Sequence, residues 1–198
     1  MIKIGLTGGI GSGKSTICEV FKVFGIPVYH SDFEAKILSD THPKIIKQLC
    51  ELYGNDIYSG KFLDRKKLAA IIFNNKAELE KVNAIIHPVV FDHFKQWAAK
   101  HIDSPYIIKE VAILFETGAD KMVDKIITVS ADLDKRIERV IKRDNVCKED
   151  VEARIKNQMS EQEKINSSDF VIYNNSGPVL AEILGIHEQI LKLSKKTI

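Results

Sequence analysis

The sequence predicts an α/β fold, a parallel sheet with helices packed against it. Three observations carry that expectation. Short apolar runs with strand character recur along the chain, at 2–7, 26–30, 106–116, 125–131 and 171–173. Stretches with apolar residues at helical spacing separate them, as βαβ units around a parallel sheet require. The first run leads directly into "TGGIGSGKST", a glycine-rich turn that opens an amphipathic helix.

Each element has its local reason. After the glycines, Ile17, Val20, Phe21 and Phe24 recur at i, i+3, i+4 and i+7, and Gly25 ends that helix. "IPVYH" is the second strand, and Ser31 or Asp32 caps the helix that follows. Pro43 opens a helix carrying Ile46, Leu49, Leu52 and Tyr53, which Gly54 stops. "NDIYSGKF" is rich in turn residues, and Asp64 caps "RKKLAAIIF". A helical run from Lys76 to Ile86 meets Pro88, and "VVFDHFKQWAA" reads as a further helix. "SPYIIKEVAILFE" is a Ser-Pro turn and then a strand buried on both faces, and "KIITVSA" is another. The polar helix "DLDKRIERVIKRD", the short strand "VIY", the turn "NNSG" and a helix from Pro178 complete the chain. Residues 32–104 hold several helices and no convincing strand, so they read as a helical insert.

At 198 residues the chain fits one domain, or one domain carrying a small insert. Its 29 basic and 27 acidic residues nearly cancel, which gives no drive toward nucleic acid or an anionic membrane. Cys18, Cys50 and Cys147 form no C-x-x-C pair, so zinc-ribbon and thioredoxin-like chemistry is excluded on spacing. Cys18 and Cys50 lie among apolar residues at helical spacing and are expected as buried thiols in a reducing cytosol. The start "MIKIGLTG" has no signal-peptide run, and no segment reads as a membrane span. The expectation is a cytoplasmic, soluble protein, monomeric, with weak association left open.

The pattern G-x-x-x-x-G-K-[ST] fits once, as Gly8, four residues, then Gly13, Lys14 and Ser15. Glycines let backbone N–H groups point inward at phosphate oxygens, and the helix starting near Lys14 adds the positive end of its dipole. Lys14 is placed to reach β- and γ-phosphates, and the Ser15 hydroxyl to ligate Mg²⁺. Gly11, Ser12 and Thr16 complete this candidate ATP cradle. The bland alternative is a chance glycine-rich turn, which the flanking strand and helix oppose.

A phosphate loop does not choose a reaction. The guanine-reading N-K-x-D of a GTPase is matched only by "NKAE" in a helical region, and no strand ends in Asp-Glu as a transporter-type ATPase would need. A small-molecule kinase needs the loop, a carboxylate for the acceptor hydroxyl, and arginines over the transferring phosphoryl group. Asp32, after the second strand, is the candidate base, and it is equally suited to capping. Arg136, Arg139 and Arg143 share one helix face, either as a lid over phosphates or as a solvated, salt-bridged helix. His87 and His93, six apart, are badly spaced for one metal, and His87-Pro88 reads as a buried or turn histidine. The alternatives from other classes are a nucleoside or nucleotide kinase and an ATP-dependent binding module.

From "IGLTGGIGSGKST" through "GIPVYHSD", "LDRKKLAAIIF", "VNAIIHP", "VAILFE", "RIERVIKRD" and "FVIYNNSG", the chain resembles the dephospho-coenzyme A kinase family over about residues 2–195. The resemblance implies transfer of the ATP γ-phosphate, with Mg²⁺, to the ribose 3′-hydroxyl of dephospho-coenzyme A. It implies a nucleoside-kinase type of P-loop fold with a five-stranded parallel core, at about 1–31 and 105–198. A helical substrate-binding region at about 32–104 and a lid at about 136–165 complete it. Asp32 then takes the place of the base, Arg143 that of a lid arginine, and His87 and Arg139 fall among substrate-binding residues. Asn174 lies near the expected adenine. Three departures stand out: His30 where the family has the first Asp of Asp-x-Asp, Ala112 where it has Pro, and Tyr173 where it has Asp.

Overall fold

The computed structural model describes residues 1–73, 75–175 and 177–195. In chain order the elements are β1 (Ile2–Thr7), α1 (Lys14–Val23), β2 (Val28–His30), α2 (Ser31–Thr41), α3 (Pro43–Tyr53), β3 (Tyr58–Ser59), β4 (Phe62–Leu63), α4 (Arg65–Ile72) and α5 (Lys76–Ala99). They continue with β5 (Tyr106–Glu110), β6 (Lys125–Ser130), α6 (Leu133–Asp144), α7 (Lys148–Lys156), α8 (Glu161–Asn166), β7 (Phe170–Tyr173) and α9 (Leu180–Lys195). Two compact units result: Met1–His30 with His101–Ile198, and Ser31–Lys100.

The first unit is built on a five-stranded sheet of order β2-β5-β1-β6-β7, parallel throughout. All five strands therefore end at one edge, and β1, in the middle, delivers the glycine-rich loop there. Apolar side chains on both faces of the central strands bury because parallel strands are covered on both sides. Ile4, Leu6, Tyr106, Ile108, Ile127 and Val129 form the sheet's part of one core, against Ile17 and Phe21 of α1 and Ile183, Ile186 and Ile190 of α9. At the far edge of β5 the Tyr106 hydroxyl lies 2.6 Å from Nδ1 of His187.

The second unit is helical, with a small hairpin. Asp64 accepts from the N–H groups of Lys66 and Lys67 and caps α4, as its position predicts. Asp40 at the end of α2 accepts the Leu63 N–H at 2.9 Å and pairs with Arg65 at 2.7 Å, which fastens the hairpin and α4 to α2.

Several expectations are corrected. "NDIYSGKF" contains the paired strands β3 and β4, where no strand was expected; Gly60, in the left-handed region at φ 62°, makes the turn between them. α5 runs unbroken through Pro88, which costs the helix one backbone bond without ending it. β5 stops at Glu110, and the apolar residues beyond it fold into turns, since a strand has no partner past the sheet edge. α2 already includes Ser31, so Asp32 sits in the first turn rather than at the cap, still well placed toward the helix dipole. Cys18 is buried, whereas Cys50 is only half-buried. Of the turn "NNSG", Ser176 lies outside the described residues. Among the described residues, no helix is long and apolar enough to cross a membrane.

Candidate active site

The loop from Gly8 to Gly13 sits between β1 and α1 with its backbone held on every side. Gly8 has φ 150°, and a Cβ there would fall 2.2 Å from the Val129 carbonyl of β6. Gly13 has φ 93°, and its Cβ would fall 2.2 Å from Nδ2 of Asn174. Both places admit only glycine. Gly13 precedes α1; among the described residues no side chain caps that helix, and its first turn carries no acidic residue. Its leading N–H groups, those of Lys14, Ser15 and Thr16, lack the helical partners of later turns and are suited to an anion. Lys14 folds back over the loop, its Nζ donating to Gly8 O at 2.9 Å and Gly9 O at 3.4 Å. Ser12 is fully buried, and among the described residues its hydroxyl has no hydrogen-bond partner. Ser15 and Thr16 are exposed on the opening turn of α1.

Arg139 and Asn174 close the outer wall. Nη1 of Arg139 donates to Gly11 O at 3.3 Å and Ser12 O at 3.5 Å; Nη2 donates to Asn174 O at 2.9 Å and Asn175 O at 3.2 Å. Asn174 in turn donates from Nδ2 to Ser12 O at 2.8 Å. Both residues were expected at substrate or adenine; Nη1 of Arg139 and Nδ2 of Asn174 are hydrogen-bonded to the loop's backbone. Arg136, expected on the lid face, is instead buried against the loop. Arg143, one turn beyond Arg139, is exposed and bidentate to Asp144, at 2.7 and 3.0 Å. Arg154 of α7 shares that carboxylate at 3.0 Å, and the two guanidiniums hold Asp144 well below the usual carboxylate range.

One carboxylate at this edge is not among the residues that the sequence singles out for the site. Glu110 ends β5, paired in register with Leu6 of β1 on one side and His30 of β2 on the other. It is 8% exposed, and its Oε2 lies 3.3 Å from Nδ1 of His30. His30, where the family has a carboxylate, thus faces one across the strands. Burial pushes the Cys18 thiol up to about 12; Glu110 adds to that rise, and Lys22 and Lys14 oppose it. The other two departures, Ala112 and Tyr173, lie in the turn after β5 and at the exposed end of β7.

The remaining sequence candidates belong to the second unit. Asp32 is exposed in the first turn of α2. His87 is exposed on α5, not buried or in a turn as expected, while His93 faces Glu34 at 3.7 Å. Among the described residues, no group of three or more His, Cys, Asp or Glu could hold a metal by itself. Ser15, on the opening turn of α1, carries a hydroxyl oxygen of the kind a hard cation accepts beside water and substrate phosphates, as Mg²⁺ does.

The chain is similar to known proteins along most of its length. The dephospho-CoA kinase family model matches residues 2–179. A dephospho-CoA kinase of Bacteroides fragilis strain YCH46 is 44% identical over 184 residues, spanning 92% of this chain and 90% of that protein. Among solved structures, TT1252 from Thermus thermophilus superposes with a TM-score of 0.85 at 30% identity, covering 96% of each chain. Dephospho-CoA kinase from Campylobacter jejuni matches with a TM-score of 0.70 at 24% identity, over 99% of this chain and 98% of that one, which bears on the fold alone. With the family model spanning nearly the whole sequence and the phosphate loop built as described, this chain belongs to the dephospho-CoA kinase family.

Proposed function

We propose that this protein phosphorylates the ribose 3′-hydroxyl of dephospho-coenzyme A with ATP, giving coenzyme A and ADP, the last step of coenzyme A synthesis. The observation that carries this reading is a braced phosphate loop with Lys14 folded over it, in a chain whose relatives along nine-tenths of its length are dephospho-CoA kinases.

Gly8, Gly11 and Gly13 present backbone amides to the triphosphate, Ser12 shapes the turn between them by donating its own N–H to Gly9 O at 3.1 Å, and Ser15 and Thr16 continue that cradle on the first turn of α1. The 3′-oxygen attacks the γ-phosphorus, the bond to the β,γ-bridging oxygen breaks, and the hydroxyl proton passes to Asp32. Lys14 stabilises charge on the β- and γ-phosphoryl oxygens as the bond breaks. Arg143, exposed at the end of α6, supplies a guanidinium to the transferring group once it leaves Asp144. Within residues 136–165, the stretch between Arg139 and Gln158 acts as the lid, its two ends being held at the loop, and Ser31–Lys100 acts as the acceptor-binding unit, with His87 on the acceptor side. Mg²⁺, when bound with ATP, neutralises developing phosphate charge; Ser15 carries the oxygen suited to hold it, and Glu110 is the carboxylate at this edge of the sheet. Arg139 and Asn174 brace the phosphate loop from its outer side.

The test is ADP release from the purified protein with Mg-ATP, comparing dephospho-coenzyme A, adenosine, AMP and no acceptor, with Lys14→Ala as the blank. Turnover with dephospho-coenzyme A alone is expected. Turnover with AMP, or acceptor-independent hydrolysis, would reject the acceptor while keeping the loop.

A further inference from the structure

Ile10, at the tip of the phosphate loop, has both backbone groups taken up by side chains more than a hundred residues away. Its N–H donates to Oε1 of Gln158 at 2.9 Å, and its carbonyl accepts from Nε of Arg136 at 3.0 Å. Arg136 is fixed in turn by Glu161 at 2.8 Å. Gln158 occupies the turn between α7 and α8, and that turn is anchored as well. The next residue, Met159, donates its N–H to Oε1 of Glu116 at 2.8 Å. The same carboxylate oxygen pairs at 3.2 Å with Lys164, whose side chain is fully buried. The acceptor on Ile10 therefore stands on a rigid base and not on a free loop.

We propose that Gln158 is a positioning residue for phosphoryl transfer. By accepting the Ile10 N–H, it turns that amide away from the phosphate path. With Arg136 on the carbonyl, it fixes the peptide planes on both sides of Ile10. The amides that follow are then aimed before the triphosphate arrives, so binding need not order them. The acceptor is a neutral amide oxygen, which holds the N–H without placing a negative charge beside an anion. Because Gln158 closes the chain segment that begins at Arg136, both roots of the α6–α7 excursion are tied to the loop. Lid and loop share one foundation.

The inference rests on the kinase reading, so its test uses nucleotide binding without acceptor. ADP affinity is measured by calorimetry for the wild type, Lys14→Ala, Gln158→Met and Gln158→Glu, alongside amide exchange at Ile10 by NMR and thermal unfolding. Gln158→Met keeps the bulk and loses the acceptor, so it is expected to bind ADP about tenfold more weakly, the worth of one hydrogen bond. Its Ile10 amide exchanges faster, and its unfolding transition falls by no more than the loss of one hydrogen bond accounts for. Gln158→Glu keeps an acceptor, so its Ile10 amide stays protected. Wild-type ADP affinity or unchanged Ile10 exchange in Gln158→Met overturns the proposal, as does rapid Ile10 exchange in Gln158→Glu if the Met variant does not fold. A wild type that binds ADP no better than Lys14→Ala would instead reject the kinase reading.

Discussion

Nδ2 of Asn174 donates to the Ser12 carbonyl at 2.8 Å, so the turn that closes β7 forms one wall of the phosphate loop. Asn174→Ala removes that donor and leaves Arg139 to hold the wall from Gly11 O and the Asn175 carbonyl. ATP affinity is expected to fall about tenfold, with a loss of about 1 kcal/mol in folding stability. Calorimetric titration and denaturant unfolding read the two effects separately. Wild-type affinity would show that the loop keeps its shape without the brace.

Lys14→Ala should lower kcat by about two to four orders of magnitude while circular dichroism shows an unchanged fold, because the ammonium acts on transition-state charge. Near-normal turnover would remove it from the chemistry. Asp32→Asn keeps size and helix position but cannot take the acceptor proton, and a drop in kcat of about 10²-fold or more is expected. Full activity in that variant would leave Asp32 as a first-turn residue suited to the α2 dipole and nothing more.

Glu110→Gln retains the shape at the end of β5 and removes the charge that faces His30. The Mg²⁺ concentration for half-maximal activity is expected to rise about tenfold, the order of one charge-assisted contact. A titration that superposes on the wild type would confine Glu110 to its partnership with His30.

His187 gives a pH dependence whose sign follows from burial. Burial lowers its pKa from the ordinary 6.5, with Glu188 opposing, so the folded protein favours the neutral ring beside Tyr106. The unfolded chain takes the proton more readily. The contribution is thus present above about pH 6.5 and is lost as pH falls through the lower, folded-state value. Thermal unfolding followed between pH 7.5 and 5 should show His187→Gln losing less stability than the wild type. Parallel curves would place the acid sensitivity elsewhere.

What the sequence disclosed was local. The strand β1, the glycines, Lys14 and the stripe of α1 follow from short-range pattern, and so does the Asp64 cap. What it did not disclose depends on register between distant segments. Glu110 looked unremarkable in "IIKEVAILFE" until β5 was paired with β1 and β2, which sets it at the sheet's edge opposite His30. Arg136, Arg139 and Arg143 share a helix face, yet spacing could not say that the first two turn to the loop and the third to solvent. Pro88 was read as a boundary because its missing N–H is a local cost, whereas the burial of Val82, Ile85, Val89, Val90 and Phe94 on either side of it continues one helix. Lys109 is a charged residue inside a strand buried along its whole length, and burial brings its pKa down to about 8.

The strand order has a consequence for how the protein is made. β1 pairs with β5 and β6, and Ile2 meets Tyr106 across roughly a hundred residues of intervening chain. During synthesis at about 5–20 residues per second, β1 leaves the ribosome some 5–20 seconds before its first partner strand is complete. For that interval its apolar residues and strand edges have no native partner strand to join, while the helices of Ser31–Lys100 emerge ahead of β5. The central strand of the sheet, and with it the phosphate loop, is therefore born early and finished late.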